Sequence, residues 1–185
     1  MTSPSDLKDD VVAHLTTHAV RTDGPFTLRS GEVSDWYIDA RQTTFDGVGA
    51  TIVGEAVVSV LDPGATAVGG MTMGADPIAV ATAIAAARIG RPLRAFSIRK
   101  ETKDHGTGGR LVGPVDERDS VAVLEDTTTT GSAIVEAVEA LADAGIDTGQ
   151  VVSLVDRSGG KVADRVGALG IAYIALVTPA DLGVE

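Results

Sequence analysis

Apolar and polar positions along the chain fall into two alternating rhythms. Leu7, Val11, Val12, Leu15 and Ala19 recur at helical spacing behind Ser5, which predicts a capped helix running to about residue 20. Residues 26–28 and 36–40 read as two short strands joined about Ser30-Gly31, a predicted hairpin. A helix over about 48–61 follows and ends at Asp62-Pro63-Gly64. Then come strand 66–68, a glycine-rich turn, an alanine-rich helix over about 77–89 stopped by Gly90, and strand 93–98. Residues 99–113 form a polar loop with four glycines. Strand 120–124, helix 132–144, strand 151–155, a short helix 161–169 and strand 171–177 complete the order.

Strands that are continuous apolar runs, separated by helices of about ten to fifteen residues, imply parallel pairing with both faces covered. The expected fold is therefore α/β: a doubly wound, mostly parallel sheet in a single domain spanning 1–185. Within it, about 48–177 form the core and about 1–45 an N-terminal helix and hairpin. Such sheets bind ligands at the carboxyl ends of their strands, so the strand-to-helix turns are where chemistry is expected.

Composition removes several alternatives. With 44% hydrophobic and 22% charged residues the chain is not of the disordered class. No apolar run approaches the roughly 18 residues of a membrane span. The absence of cysteine excludes disulfides, thiolate metal sites and a cysteine nucleophile. No segment at the start reads as a secretory leader, so a soluble cytoplasmic protein is expected, with no membrane partner. A net charge of −11 opposes nucleic-acid binding through phosphate neutralisation. The charges are also skewed in kind, 18 Asp to 8 Glu and 4 Lys to 11 Arg. That surface suits a protein soluble in concentrated salt, the expectation adopted here over a moderately acidic mesophile. It also makes two lysines in one loop, Lys100 and Lys103, stand out.

Neither GxGxxG nor GxxxxGK[ST] occurs, so a dinucleotide fold and a P-loop are unsupported. The strongest segment is Val121-Ala122-Val123-Leu124-Glu125-Asp126-Thr127-Thr128-Thr129-Thr130-Gly131-Ser132-Ala133. An apolar strand ends on two carboxylates, and a threonine run leads through glycine into a helix. Backbone N–H groups and hydroxyls in such a turn make an anion cradle. Carboxylates beside a phosphate need another partner: sugar hydroxyls, or a magnesium ion carried by the phosphates. Together these features describe a phosphorylated ribose. In the 99–113 loop, Arg99, Lys100, Lys103 and His105 gather positive charge suited to a departing diphosphate, and its glycines suit a closing lid. Arg157, at a strand end, could hold a carboxylate through its planar fork or form a salt bridge to Asp156 or Asp164. Gly69-Gly70-Met71-Thr72-Met73-Gly74-Ala75-Asp76-Pro77 reads equally as tight strand–helix packing or as a ligand-facing turn. Trp36 and Tyr37 read as core rather than as stacking platforms.

The 121–133 segment resembles the phosphoribosyl-diphosphate motif of type I phosphoribosyltransferases. Three further segments narrow the resemblance to the orotate phosphoribosyltransferases. These are Phe26-Thr27-Leu28-Arg29-Ser30-Gly31 with Ser34-Asp35-Trp36-Tyr37-Ile38-Asp39, Arg99-Lys100-Glu101-Thr102-Lys103-Asp104-His105-Gly106, and Ser153-Leu154-Val155-Asp156-Arg157. The resemblance implies transfer of a 5-phosphoribosyl group from its diphosphate donor to orotate, with Mg2+ bridging the diphosphate and no metal ligand assigned to the protein. It implies a catalytic set of Lys100, Lys103 and Asp126. Donor binding falls to Arg99, Lys100, Lys103, His105, Glu125, Asp126 and 127–133, that is Thr127, Thr128, Thr129, Thr130, Gly131, Ser132 and Ala133. Orotate binding falls to Thr129 and Arg157, with Arg29 secondary because many relatives carry lysine there. It further implies a homodimer in which the 99–113 loop reaches the partner's site. The rivals are a purine phosphoribosyltransferase, which needs no carboxylate partner such as Arg157, and a donor-sensing regulator, which would need a DNA-binding element.

Overall fold

The computed structural model describes residues 4–27, 31, 33–101 and 109–184. Its elements in chain order are α1 (Pro4–His18), β1 (Val20–Arg21), β2 (Phe26–Thr27), β3 (Val33–Ser34), β4 (Tyr37–Ile38), α2 (Arg41–Thr44) and α3 (Gly47–Val60). There follow β5 (Ala67–Met71), α4 (Ala75–Arg88), β6 (Arg94–Ile98), β7 (Leu111–Val112), β8 (Ser120–Thr128), α5 (Ser132–Asp143), β9 (Asp147–Asp156), α6 (Lys161–Gly167) and β10 (Ala172–Val177).

Six strands form the central sheet in the order β10-β9-β8-β5-β6-β7, all parallel except the edge strand β7. The pleat of β8 shows why both faces are covered. Ala122 and Leu124 point into the cluster built with α1, α3 and α4, while Val121 and Val123 point into the one built with α5 and α6. Every one of these side chains is fully buried. The doubly wound expectation holds.

Four sequence expectations are corrected. The second strand of the hairpin is Val33–Ser34, which pairs with Phe26–Thr27, whereas Tyr37–Ile38 pairs with Val20–Arg21. The chain therefore folds two small ribbons instead of one, because Val20–Arg21 leaves α1 extended and offers a free edge. The helix α2 was not foreseen; its four residues carry no apolar period. Gly69 and Gly70, read as the start of a turn, lie inside β5, where a side chain would strike the carbonyls of Phe96 and Leu124. Strand β8 continues to Thr128 rather than stopping at Leu124, so Glu125 and Asp126 belong to the strand. The polar loop also closes with the short antiparallel strand β7, which pairs Leu111 with Ile98.

The strand order places a switch point between β5 and β8. The chain leaves β5 through α4 toward β6 on one side, and leaves β8 through α5 toward β9 on the other. The two connections diverge above the carboxyl ends of neighbouring strands, which opens the crevice where α/β sheets bind ligands.

Candidate active site

The end of β8 projects Glu125 and Asp126 into that crevice, both partly buried. Burial pushes the Glu125 carboxyl up to about 8; the neighbouring Asp126 charge adds to this and Lys100 opposes it. Asp126 is also raised by burial, partly offset by the Thr127 N–H, which donates to its carboxylate at 2.7 Å, and by Arg41. From across the switch point the turn after β5 closes against Asp126. A Cβ added at Gly74 would lie 2.7 Å from the Asp126 carboxyl carbon. The two readings of that turn thus divide by residue: packing explains Gly69 and Gly70, and approach to the carboxylate explains Gly74.

Beyond Thr128 the chain turns through exposed Thr129 and Thr130 to Gly131, whose φ of +72° sets the left-handed entry into α5. The Thr130 and Ser132 hydroxyls lie 2.9 Å apart, and Arg165 donates to the Thr130 carbonyl at 2.9 Å. Hydroxyls and the amide-bearing end of a twelve-residue helix therefore lie together along Thr127–Ala133.

Arg157 stands at the far end of β9. Its N–H donates to the Thr128 carbonyl at 2.8 Å, and its guanidinium lies over the Trp36 ring at 4.1 Å from the centroid. Burial holds the guanidinium below its ordinary pKa without coming near neutralising it. Its Nε is buried without a hydrogen-bond acceptor, and among the described residues no carboxylate lies within ion-pair reach. The salt bridge to Asp156 or Asp164 is not formed: Asp156 instead accepts from the Ser158 N–H and the Tyr173 hydroxyl. An unpaired, half-desolvated planar cation beside a turn lined with hydroxyls and helix-end amides is suited to a ligand carboxylate.

Arg99 and Lys100 follow β6, with Lys100 exposed and close enough to act on Glu125. The two ends of the 99–113 loop are tied together. Arg99 N–H donates to the Arg110 carbonyl and Arg110 Nε to the Arg99 carbonyl, each at 2.8 Å, and Arg110 also pairs with Glu136 on α5. Lys103, His105 and Arg29 lie outside the described residues.

Three participants escaped the sequence reading. Trp36, assigned to the core, is the platform for Arg157; Ser34, whose hydroxyl donates to the Trp36 carbonyl at 2.7 Å, fixes its backbone. Arg41, paired with Asp39 at 2.7 Å, acts on Asp126. Only the Ser34-Asp35-Trp36 motif carried a signal for any of these; Arg41 reaches the site through α2, which has none.

No protein-family model matches the chain. Orotate phosphoribosyltransferase of Streptomyces avermitilis is 39% identical over 180 residues, covering 97% of this chain and 94% of its own. The crystal structure of Mycobacterium tuberculosis orotate phosphoribosyltransferase with Fe(III) dicitrate superposes with a TM-score of 0.83 at 34% identity, covering 96% of this chain and 99% of that one. The same Mycobacterium enzyme in complex with 5-phospho-α-D-ribosyl 1-diphosphate gives 0.79 at 30% identity, with coverage of 96% and 99%. Identity of this order across almost the whole of both chains, on the same sheet, means that the chain belongs to the orotate phosphoribosyltransferase family.

Proposed function

We propose that this chain transfers the 5-phosphoribosyl group of 5-phosphoribosyl 1-diphosphate to N1 of orotate, giving orotidine 5′-phosphate and pyrophosphate in pyrimidine biosynthesis. The observation that carries the reading is the unpaired Arg157 guanidinium, stacked on Trp36, while the residue's backbone N–H bonds the strand that ends in Glu125-Asp126 and the threonine run. A purine base would leave that cation without a partner.

Thr127–Ala133 hold the 5′-phosphate, and Glu125 and Asp126 accept from the ribose hydroxyls. Arg99, Lys100, Lys103 and His105 cover the diphosphate, whose negative charge grows as it departs. Thr129 and Arg157 orient orotate, with Arg29 secondary. Catalysis is then positioning and charge stabilisation by Lys100, Lys103 and Asp126, with no covalent nucleophile. Among the described residues no group of three His, Asp or Glu side chains is gathered into a metal cage. The oxygen donors present, Glu125 and Asp126, fit a magnesium ion that arrives on the diphosphate and is coordinated mainly by it. Such an ion would supply positive charge against the departing diphosphate.

The working unit of this reading is a soluble, cytoplasmic homodimer in which the 99–113 loop of one protomer serves the other's site. Exposed apolar side chains on α4, Val80 at 53% and Ile84 at 51%, support a second copy there. No helix among the described residues is long and apolar enough to cross a membrane.

Loss of orotate absorbance tests the reaction, with donor and magnesium present and with uracil, adenine, hypoxanthine and guanine as competitors for the role. Turnover of orotate alone is the expected result. Turnover of a purine overturns the roles of Arg157 and Thr129, and donor binding without turnover of any base favours the sensing regulator.

A further inference from the structure

Arg157 is the group on which the base site turns, and its own contacts do not account for its position. Its N–H rests on Thr128 and its guanidinium on Trp36, but the residue before it is held from elsewhere. Asp156, only 6% exposed, divides its two carboxylate oxygens between two donors. One oxygen accepts the Ser158 N–H at 2.7 Å, and the Ser158 hydroxyl in turn accepts the Val162 N–H at 3.0 Å, which sets the entry into α6. The other accepts the hydroxyl of Tyr173 at 2.9 Å, reaching across from β10, the outermost strand of the sheet.

The Tyr173 ring packs against the apolar cluster on the α5 and α6 side, while its hydroxyl lies in the field of both Asp156 and Glu125. Burial and those two carboxylates push its pKa upward, so it remains a donor. A buried carboxylate oxygen that loses its donor must turn to find another or remain unsatisfied. Either response displaces the backbone that continues directly into Arg157.

Resting on the base-site reading of Arg157, we propose that Tyr173 is a positioning residue for orotate: its hydroxyl, donated to Asp156, fixes the strand end that aims the Arg157 guanidinium. It touches neither substrate. The proposed phosphate cradle begins on β8 and has a further tether, the bond from Arg165 to the Thr130 carbonyl, so donor binding depends less on the Tyr173 hydroxyl than orotate binding does.

Tyr173→Phe removes only the hydroxyl and keeps the ring. The KM for orotate rises about fivefold, less than the full worth of a hydrogen bond to a charged group because Tyr173 acts through Arg157, while the KM for the diphosphate donor changes less than about twofold. In an Arg157→Ala background the same substitution has no further effect on orotate, because the group it positions is gone. Asp156→Asn replaces one acceptor oxygen with an amide donor, so Ser158 and Tyr173 can no longer both donate to it, and the same split between the two KM values follows. It serves as the second variant if Tyr173→Phe folds poorly. An unchanged orotate KM in both variants overturns the inference while leaving Arg157 in its role. Equal effects on both substrates, or an effect that persists without Arg157, reveals a merely structural tyrosine and overturns it too. If Arg157→Ala itself leaves the orotate KM unchanged, the base-site reading falls and takes this inference with it.

Discussion

Glu125 carries the site's largest electrostatic tension. Its carboxyl has a value of about 8 in the fold against 4.5 for the free side chain. A raised value means that the folded state prefers the protonated form. The stability this group contributes is present below about pH 4.5 and is lost as pH rises toward 8, where the fold must bury its charge. Glu125→Gln therefore melts with the wild type at pH 4.5 but is more stable by about 2 kcal/mol at pH 8 to 9, as denaturant titrations at the two pH values would record. Activity moves the opposite way, since a neutral amide is a poorer acceptor for a ribose diol. At pH 9 the KM for the donor rises about tenfold, while near pH 6, where Glu125 is itself neutral, the two proteins converge. Equal stability of the two proteins at pH 9 would show that the carboxylate is not strained by burial. The same tension explains why Lys100, in a chain with only four lysines, stands within reach of Glu125.

At the scale of elements, the site is the meeting of two strand ends, and the turn after β5 is the tighter half. Gly74 has an ordinary helical backbone, φ −61° and ψ −43°, so alanine fits its conformation and even removes freedom from the unfolded chain. Its methyl group nevertheless lands on the Asp126 carboxyl. Gly74→Ala should keep or slightly raise the melting temperature while kcat/KM falls about 10- to 100-fold, a displacement effect. Loss of activity and stability together would mean that the turn is structural. The ends of these elements were the least legible part of the sequence. The run Val121-Ala122-Val123-Leu124 announces a strand through its apolar side chains, but Glu125 to Thr128 continue it through backbone pairing with β9, which leaves no mark in polarity. The hairpin failed for a related reason. Strands of two residues are chosen by which edge lies free nearby, and Val20–Arg21 captured Tyr37–Ile38 by lying beside it.

For the whole molecule, charge and association make separate predictions. A chain of net −11 with 18 aspartates repels itself at low ionic strength. Its melting temperature and orotate turnover should both rise from low to molar potassium chloride; a fall in both would return the chain to the moderately acidic mesophiles. The proposed dimer is assigned to the α4 face. Ile84→Asp should then shift the protein to monomer in sedimentation and cut activity by about tenfold or more, with circular dichroism unchanged, if each site takes its partner's loop. A fully active monomer would refute the shared site.

The sequence by itself determined the layer architecture, because apolar runs alternating with helical periods can be buried only as a parallel sheet covered on both faces. It also determined the segment proposed as the donor cradle, since carboxylates, hydroxyls and a glycine-entered helix are contiguous and need no partner from elsewhere in the chain. What tertiary structure alone decided are the relations between distant segments: Trp36 under Arg157, Gly74 against Asp126, Arg41 beside that same carboxylate, and Tyr173 behind Asp156. The physical reason is common to all four. Each is a contact between elements whose spacing along the chain is unrelated to their spacing in the sheet, and the strand order, which no local pattern encodes, brings them together.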